Sequence, residues 1–257
     1  MGRHVPRKRF GQHFLHDPRV LARIVEAIRP APADVMLEIG PGEGALTHAL
    51  LERVRMLHAV EIDRDLAAHL EQGYPREQLV VHRADALELD LRVFPPELRV
   101  VGNLPYNVST PLLFHLARQA DRVRDMHFML QLEVVERMVA APSTSAYGRL
   151  SIMLQMRFRM QKLLRVSAGA FRPPPKVESA LVRMVPLAQG ERPRVDEALF
   201  ARLVAGAFAA RRKTLRNALP LSPQDFEALG IDSGLRPENL AAADYVRIAQ
   251  HLASQER

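Results

Sequence analysis

Val35-Met36-Leu37-Glu38-Ile39-Gly40-Pro41-Gly42-Glu43-Gly44 decides the fold of this 257-residue chain. A short, mostly apolar run ends abruptly in three glycines spaced Gly-x-Gly-x-Gly. Such a run, bounded by turn residues, reads as a buried strand. Behind the glycines, Ala45, Leu46, Ala49 and Leu50 keep helical spacing. Strand, glycine turn and helix in that order open a βαβ unit. Glycine there allows positive φ and close approach of the backbone to a ligand at the strand's carboxyl end.

The alternation continues on both sides. Upstream, Asp17-Pro18 offers an N-cap followed by proline at the first helical position. Val20, Leu21, Ile24, Val25 and Ile28 then keep helical spacing until Pro30 and Pro32. Downstream, strands are expected over 56–62, 79–82, 98–101 and 126–132. Helices are expected over 64–70, 110–117 (with Thr110 as cap) and 133–140. Strands alternating with helices predict a parallel, doubly wound sheet with its function at the strand carboxyl ends. Gly40, Glu61, Asp85 and Asn103 all fall at such ends. Further on, a helix over 150–158 and strands over 163–166 and 180–185 are expected, the strands closing the sheet. Between those strands lies a stiff polyproline-like loop, Phe171-Arg172-Pro173-Pro174-Pro175-Lys176-Val177. A linker over 186–193 leads to helices over 196–210, 212–219, 223–229 and 242–253. The expected division is an α/β domain over 1–187 and a small all-helical domain over 188–257.

Charge is unevenly distributed. The net charge is +7, yet residues 10–148 carry −5 and residues 149–183 carry +7, while residues 1–9 hold four basic side chains and no acidic one. An acidic half flanked by basic segments suits a polyanionic partner. Cysteine is absent, which excludes disulfides and thiolate metal sites and fits a reducing compartment. No metal site is expected. No apolar run is long enough to span a membrane, and the basic N-terminus lacks the apolar segment of a secretory signal.

The chemistry concentrates in Gly102-Asn103-Leu104-Pro105-Tyr106. The Asn103 side-chain oxygen and the Leu104 main-chain oxygen can both accept from one exocyclic NH2. Pro105 stiffens the turn and biases Leu104 toward an extended conformation, and Tyr106 brings a flat face for stacking on a base. Taken alone, the string also reads as a strand ending in a proline turn. Glu61 stands about where an acidic residue meets a ribose diol. Asp85 suits an exocyclic adenine amine. Singly, these two also read as an exposed strand end and a helix cap. Together they describe a nucleoside cofactor site. S-Adenosylmethionine needs a ribose acceptor, an adenine contact and a groove for its methionine end, but no pyrophosphate cradle. The glycine spacing departs from Gly-x-Gly-x-x-Gly and disfavours a dehydrogenase.

Gln12-His13-Phe14-Leu15, the Gly40 turn, Glu61, Asp85, Asn103-Leu104-Pro105-Tyr106, the 171–177 loop and Arg211-Arg212-Lys213-Thr214-Leu215-Arg216-Asn217 occur in this order. Over nearly the whole chain they resemble the bacterial small-subunit rRNA adenine N6,N6-dimethyltransferases. The resemblance implies a Rossmann-like class I methyltransferase domain with a small helical C-terminal domain, acting with S-adenosylmethionine. It implies cofactor contacts at His13, Leu15, Gly40, Glu61, Asp85 and Asn103, and an acceptor site of Asn103, Leu104, Pro105 and Tyr106. An unstacked adenine would be gripped by Tyr106 and Phe171, with Arg7, Lys8, Arg9, Arg211, Arg212, Lys213 and Arg216 on phosphates. The implied reaction is dimethylation of adjacent adenosines in small-subunit rRNA, within the small ribosomal subunit or its precursor. It would be carried out by a cytoplasmic monomer with a part in subunit biogenesis. One position departs: the family usually has Asn where this chain has His13, whose ring can donate or accept and brings a possible pH dependence. The large-subunit resistance methyltransferases share the implied fold and cofactor, but the Asn103–Pro111 string, the proline loop and the 211–217 segment favour the small-subunit type. A DNA adenine methyltransferase would more typically show Asp-Pro-Pro-Tyr and a target-recognition region. A role mainly as a ribosome-assembly factor is the alternative of a different class.

Overall fold

The computed structural model describes residues 12–255. Its strands are β1 (Phe14–Leu15), β2 (Met36–Ile39), β3 (Leu57–Val60), β4 (Leu79–His82), β5 (Leu98–Asn103), β6 (Val123–Gln131), β7 (Phe158–Val166), β8 (Phe171–Arg172) and β9 (Ser179–Pro186). Its helices are α1 (Pro18–Ile28), α2 (Ala45–Leu51), α3 (Arg64–Gly73), α4 (Ser109–Ala117), α5 (Leu132–Val139), α6 (Arg149–Gln155), α7 (Glu197–Ala209), α8 (Leu215–Ala218), α9 (Pro223–Leu229) and α10 (Ala242–Gln255).

Seven strands form one sheet in the order β4-β3-β2-β5-β6-β9-β7. Pairing is parallel from β4 through β6, and β9 runs antiparallel to β6. The doubly wound expectation therefore holds for the first five of these strands, and β9 and β7 extend the sheet. From β2 the chain builds outward to β3 and β4, then returns to lay β5 on the other side of β2. That reversal opens a crevice beyond the carboxyl ends of β2 and β5, where open α/β sheets bind ligands. The register sets Ile39 beside Gly102 and Asn103 beside Met129. Strands enclosed by crossover connections become apolar throughout, and all of β2 is buried, with every residue of β5 up to Gly102. One core gathers Ile24, Val25 and Ile28 of α1, Met36, Leu50 of α2, Leu57 and Phe171.

The opposite end of the sheet is tied by charge. Arg99, at 4 % exposure, donates through Nε and Nη2 to both oxygens of Asp125 (2.9 and 3.0 Å) and through Nη1 to Asp34 at 2.6 Å. It also donates to the carbonyls of Ile28 and Arg29 at the end of α1. The carboxyl-terminal carbonyls of a helix lack intrahelical partners, and this guanidinium supplies them.

The chain divides into two compact units. Among the described residues, the first comprises those up to 135 and 160–186, and the second 136–159 and those from 187 on. Residues 136–159 thus go with the helical unit, whereas the sequence division at 187 and 188 groups them with the α/β part. The reason is packing: Tyr147, Ile152 and Met156 are buried in one core with Phe200, Val204, Leu215, Tyr245 and Ile248. Local departures have local causes. α4 starts at Ser109 with Val108 as its cap, because the Ser109 hydroxyl turns back to the Tyr106 carbonyl. The helix expected over 150–158 stops at Gln155, and Phe158 begins β7. The helix expected over 212–219 shrinks to α8, so Arg211, Arg212 and Lys213 occupy a turn.

Candidate active site

The carboxyl ends of β2, β3, β4 and β5 converge on a cavity of about 180 Å³, and every cofactor and acceptor residue expected from the sequence lines it: His13, Leu15, Gly40, Glu61, Asp85, Asn103, Leu104, Pro105 and Tyr106. Residues far apart in sequence meet here because parallel strands carry each one to the same edge of the sheet.

Gly40 and Gly42 lie at φ +69° and +59°, and a Cβ on Gly42 would stand 2.8 Å from the Phe14 ring. The turn can be this tight only with glycine. Its glycine donors are engaged: Gly40 N–H to the Val60 carbonyl, Gly44 N–H to the Pro41 carbonyl, and Gly42 N–H to Glu61 Oε2 at 3.1 Å. A pyrophosphate cradle requires such N–H groups free. This turn packs closely and leaves polar recognition to side chains.

Glu61 is 5 % exposed, and its Oε1 accepts from Asp63 N–H at 2.9 Å. Burial raises its pKa, partly offset by the backbone N–H groups of Asp63, Gly42 and Ile62. Each carboxylate oxygen keeps capacity for one more donor, which matches a vicinal diol. Asp85 uses Oδ1 to cap the turn Ala86–Glu88 through Leu87 N–H at 2.9 Å. The cap and the ligand roles are compatible, because Oδ2 lies outside that bond. Ile62, 46 % exposed, adds an apolar wall beside Glu61. Buried acceptors for hydroxyls, a carboxylate for an amine, an exposed apolar face and no anion cradle fit the nucleoside part of S-adenosylmethionine.

At the acceptor turn, Asn103 Nδ2 donates to the His13 carbonyl at 2.7 Å. The side-chain oxygen is therefore the free end of the amide. Leu104 N–H donates to the Met129 carbonyl at 3.2 Å, anchoring the turn on β6. The Tyr106 hydroxyl shares a 2.6 Å hydrogen bond with Ser179 Oγ, and its ring stacks on His13 with centroids 5.6 Å apart and 28° between planes. His127 also lines the cavity, but it pairs in register with Val101, one residue pair below Gly102 and two below Asn103. Burial, foremost, pushes its pKa down to about 4, so it is neutral.

Two expectations about base and phosphate contacts change. Phe171 does not face the cavity: at 2 % exposure it sits in the core, on the strand pair that joins Leu15 to Phe171. An aromatic beside a polyproline loop suits either packing or stacking, and packing prevails because β8 pairs with β1. Arg211 is held by Glu238 and the Ser145 carbonyl, whereas Arg212, Lys213 and Arg216 are exposed. Arg7, Lys8 and Arg9 lie outside the described residues. Sequence reading missed Ser179, Glu38 and Thr47. Ser179 is fully buried at the start of an apolar strand, a signal legible in principle. Glu38 interrupts an apolar strand in the same way. At 1 % exposure it accepts from Thr47 Oγ1 at 2.6 Å, and burial pushes its pKa up to about 7.

A sheet with this strand order, β9 antiparallel beside β6, and a crevice beyond the carboxyl ends of β2 and β5 defines a Rossmann-like class I methyltransferase. Residues 3–254 match the family model described as ribosomal RNA adenine dimethylase, and the chain belongs to that family. It is similar to ribosomal RNA small subunit methyltransferase A of Thiobacillus denitrificans, with 61 % identity over 254 residues, covering 98 % of this chain and 100 % of the relative. Among solved structures, it resembles a dimethyladenosine transferase from Plasmodium falciparum (26 % identity, TM-score 0.81, covering 95 % of this chain and 98 % of that one). It also resembles the 23S rRNA methyltransferase ErmE (27 % identity, TM-score 0.71, covering 93 % and 99 %). Among the described residues no helix is long and apolar enough to cross a membrane, and no group of three or more His, Cys, Asp or Glu side chains is placed to hold a metal ion.

Proposed function

We propose that this chain transfers methyl groups from S-adenosylmethionine to the N6 amine of adjacent adenosines in small-subunit rRNA, giving N6,N6-dimethyladenosine. The observation that carries the reading is the orientation of Asn103. Its NH2 is committed to the His13 carbonyl, so its oxygen is left to accept from a substrate amine. The Leu104 carbonyl is the second acceptor. The N6 lone pair of adenine is delocalised into the ring and nucleophilically weak. Accepting both N–H hydrogens at Asn103 and Leu104 favours a more tetrahedral nitrogen and aims its lone pair. Positioning and electrostatics then do most of the catalysis. The cofactor, when bound, supplies an electrophilic methyl group. Glu61 holds the ribose diol and Asp85 the adenine amine, while Leu15 and the Gly40 turn shape the groove. Asn103 cannot take a proton, and neutral His127 lies below the acceptor turn, so the amine proton leaves to solvent after transfer.

The target base must leave its stack to reach this crevice. Tyr106 offers it a platform. Phe171, being in the core, is not assigned a grip. Arg212, Lys213 and Arg216 are assigned to phosphates, which position RNA without reading its sequence. The substrate is rRNA within the small ribosomal subunit or its precursor, met in the cytoplasm by a monomer. The 61 % full-length identity to a small-subunit enzyme, against 27 % to ErmE, favours the small-subunit target. The test is incubation with methyl-labelled S-adenosylmethionine and undermethylated small subunits, followed by digestion and nucleoside identification. Labelled N6,N6-dimethyladenosine in small-subunit rRNA, lost in Asn103→Ala, is expected. Label confined to naked large-subunit rRNA would transfer the chain to the resistance-type reaction. Tight subunit binding without any transfer would refute the enzymatic reading in favour of an assembly factor.

A further inference from the structure

Ser179 is fully buried at the start of β9, and its hydroxyl shares a 2.6 Å hydrogen bond with that of Tyr106. The two residues are 73 positions apart, and β6 lies between β5, which leads into Tyr106, and β9. The tyrosine side chain therefore reaches past the end of β6 to find its partner. Main-chain bonds fix both ends of this tie. Ser179 pairs in register with Gln131, and the Glu178 carbonyl beside it accepts from Leu132 N–H at 2.9 Å. On the other side, the Tyr106 carbonyl accepts from Ser109 Oγ at 3.1 Å, and Leu104 N–H is anchored on the Met129 carbonyl. We infer that Ser179 is a positioning residue whose hold on the Tyr106 hydroxyl fixes the stacking platform, and that the second methyl transfer depends on this hold more than the first.

This deepens the proposed function and rests on it. Unmodified adenine brings two hydrogens on N6, one for the Asn103 side-chain oxygen and one for the Leu104 carbonyl. In the first transfer a bond forms between N6 and the methyl carbon as the bond from that carbon to sulfur breaks, and one N6 proton goes to solvent. The monomethylated amine keeps a single hydrogen, so one of the two acceptors loses its donor. The hydrogen-bonded grip is halved before the second transfer, whereas the flat face of the base is unchanged. Stacking on Tyr106 then carries a larger share of the alignment. A stacked base is held only as precisely as the ring beneath it. Ser179→Ala strips the partner from the Tyr106 hydroxyl and frees the ring to tilt, and Tyr106→Phe breaks the same bond from the other side while keeping the ring.

Wild type, Ser179→Ala, Tyr106→Phe and the double variant are compared on undermethylated small subunits, with S-adenosylmethionine affinity measured by calorimetry. Time courses of N6-methyladenosine and N6,N6-dimethyladenosine in the digested RNA give the rate constants of the two transfers separately. Cofactor affinity should be unchanged throughout, which also certifies the fold. In Ser179→Ala the second rate constant should fall about tenfold more than the first, the scale of a slightly misplaced reacting group, so that N6-methyladenosine accumulates. Tyr106→Phe should repeat the pattern, and the double variant should be no worse than the poorer single one, because all three lack the same bond. A loss of folded protein would slow both transfers alike and leave their ratio as in wild type. Equal falls in both transfers, no fall in either, or losses that multiply in the double variant would each overturn the inference. Cofactor affinity that drops in step with turnover would overturn it as well. A wild type that forms no methylated adenosine in rRNA would defeat the proposed function itself. A wild type that dimethylates normally beside a Ser179→Ala protein with an unchanged ratio would defeat this inference alone.

Discussion

Replacing Glu38 by Gln is expected to change how stability depends on pH. The Glu38 carboxyl is enclosed at the end of β2, with Thr47 donating to Oε2. Burial is the main cause that lifts its pKa from 4.5 to about 7. Nearby Glu61 lifts it further, and the Thr47 hydroxyl pulls it down. The fold therefore prefers the neutral carboxylic acid. Its contribution is fully present below the unfolded value and is lost as pH rises through the folded value. With each tenfold change in proton affinity worth about 1.4 kcal/mol, the loss approaches about 3.5 kcal/mol well above neutrality. At pH 5 part of that loss has already accrued, because the unfolded chain is then mostly ionised. Between pH 5 and 8.5, Glu38→Gln should gain about 2–3 kcal/mol relative to wild type. Glutamine keeps an oxygen for Thr47, and whatever its amide costs is the same at both pH values. Urea unfolding of both proteins at the two pH values, without cofactor, reads the difference directly. A gap between the proteins that stays constant from pH 5 to 8.5 would refute the reasoning, because the carboxyl would then ionise as freely in the fold as outside it.

Other expectations concern the two ends of β5. Arg99→Met removes the partner of Asp125 and the donors to the Ile28 and Arg29 carbonyls. It should destabilise by about 3–5 kcal/mol in urea unfolding, and adding Asp125→Asn should recover part of that by removing the stranded charge. A loss below about 1 kcal/mol would place the network among exposed pairs that contribute little. At the other end, a Cβ on Gly102 would stand 2.4 Å from the Ile39 carbonyl oxygen. Gly102→Ala should therefore push β5 from β2 at the crevice, costing about 1–3 kcal/mol. It should also weaken S-adenosylmethionine binding measured by calorimetry, whereas Gly73→Ala, in α3 with nothing within 4 Å, should leave binding unchanged and cost no stability.

Much of the site is legible because its residues end strands. Gly40, Glu61, Asp85 and Asn103 can be recognised one at a time, since an apolar run that stops at a polar or glycine residue marks a strand's carboxyl end, and a doubly wound sheet collects those ends. The Asp17 cap with Pro18 is equally local, and it forms as the residues dictate. Periodicity does not reveal which polar groups are satisfied by distant partners. Nothing near His13 in sequence announces Pro173 or Tyr106, which lie 160 and 93 positions away and meet it only once β1 pairs with β8 and β5 is laid beside β2. Phe171 and Arg211 carry the chemistry of RNA contacts, yet the fold spends the first on the core and ties the second to Glu238. The sequence by itself determined the order of the main-sheet strands and of the helices and the residues at the strand ends, because these depend on hydrophobic period and turn chemistry within a few residues, whereas the pairing of β1 with β8 came only with the fold. Only the tertiary structure decided which way the Asn103 amide points, which face of Tyr106 is covered, that residues 136–159 pack with the helical unit, and that the Glu38 carboxyl favours its neutral form. Each of those depends on burial and on hydrogen-bond partners brought from elsewhere in the chain.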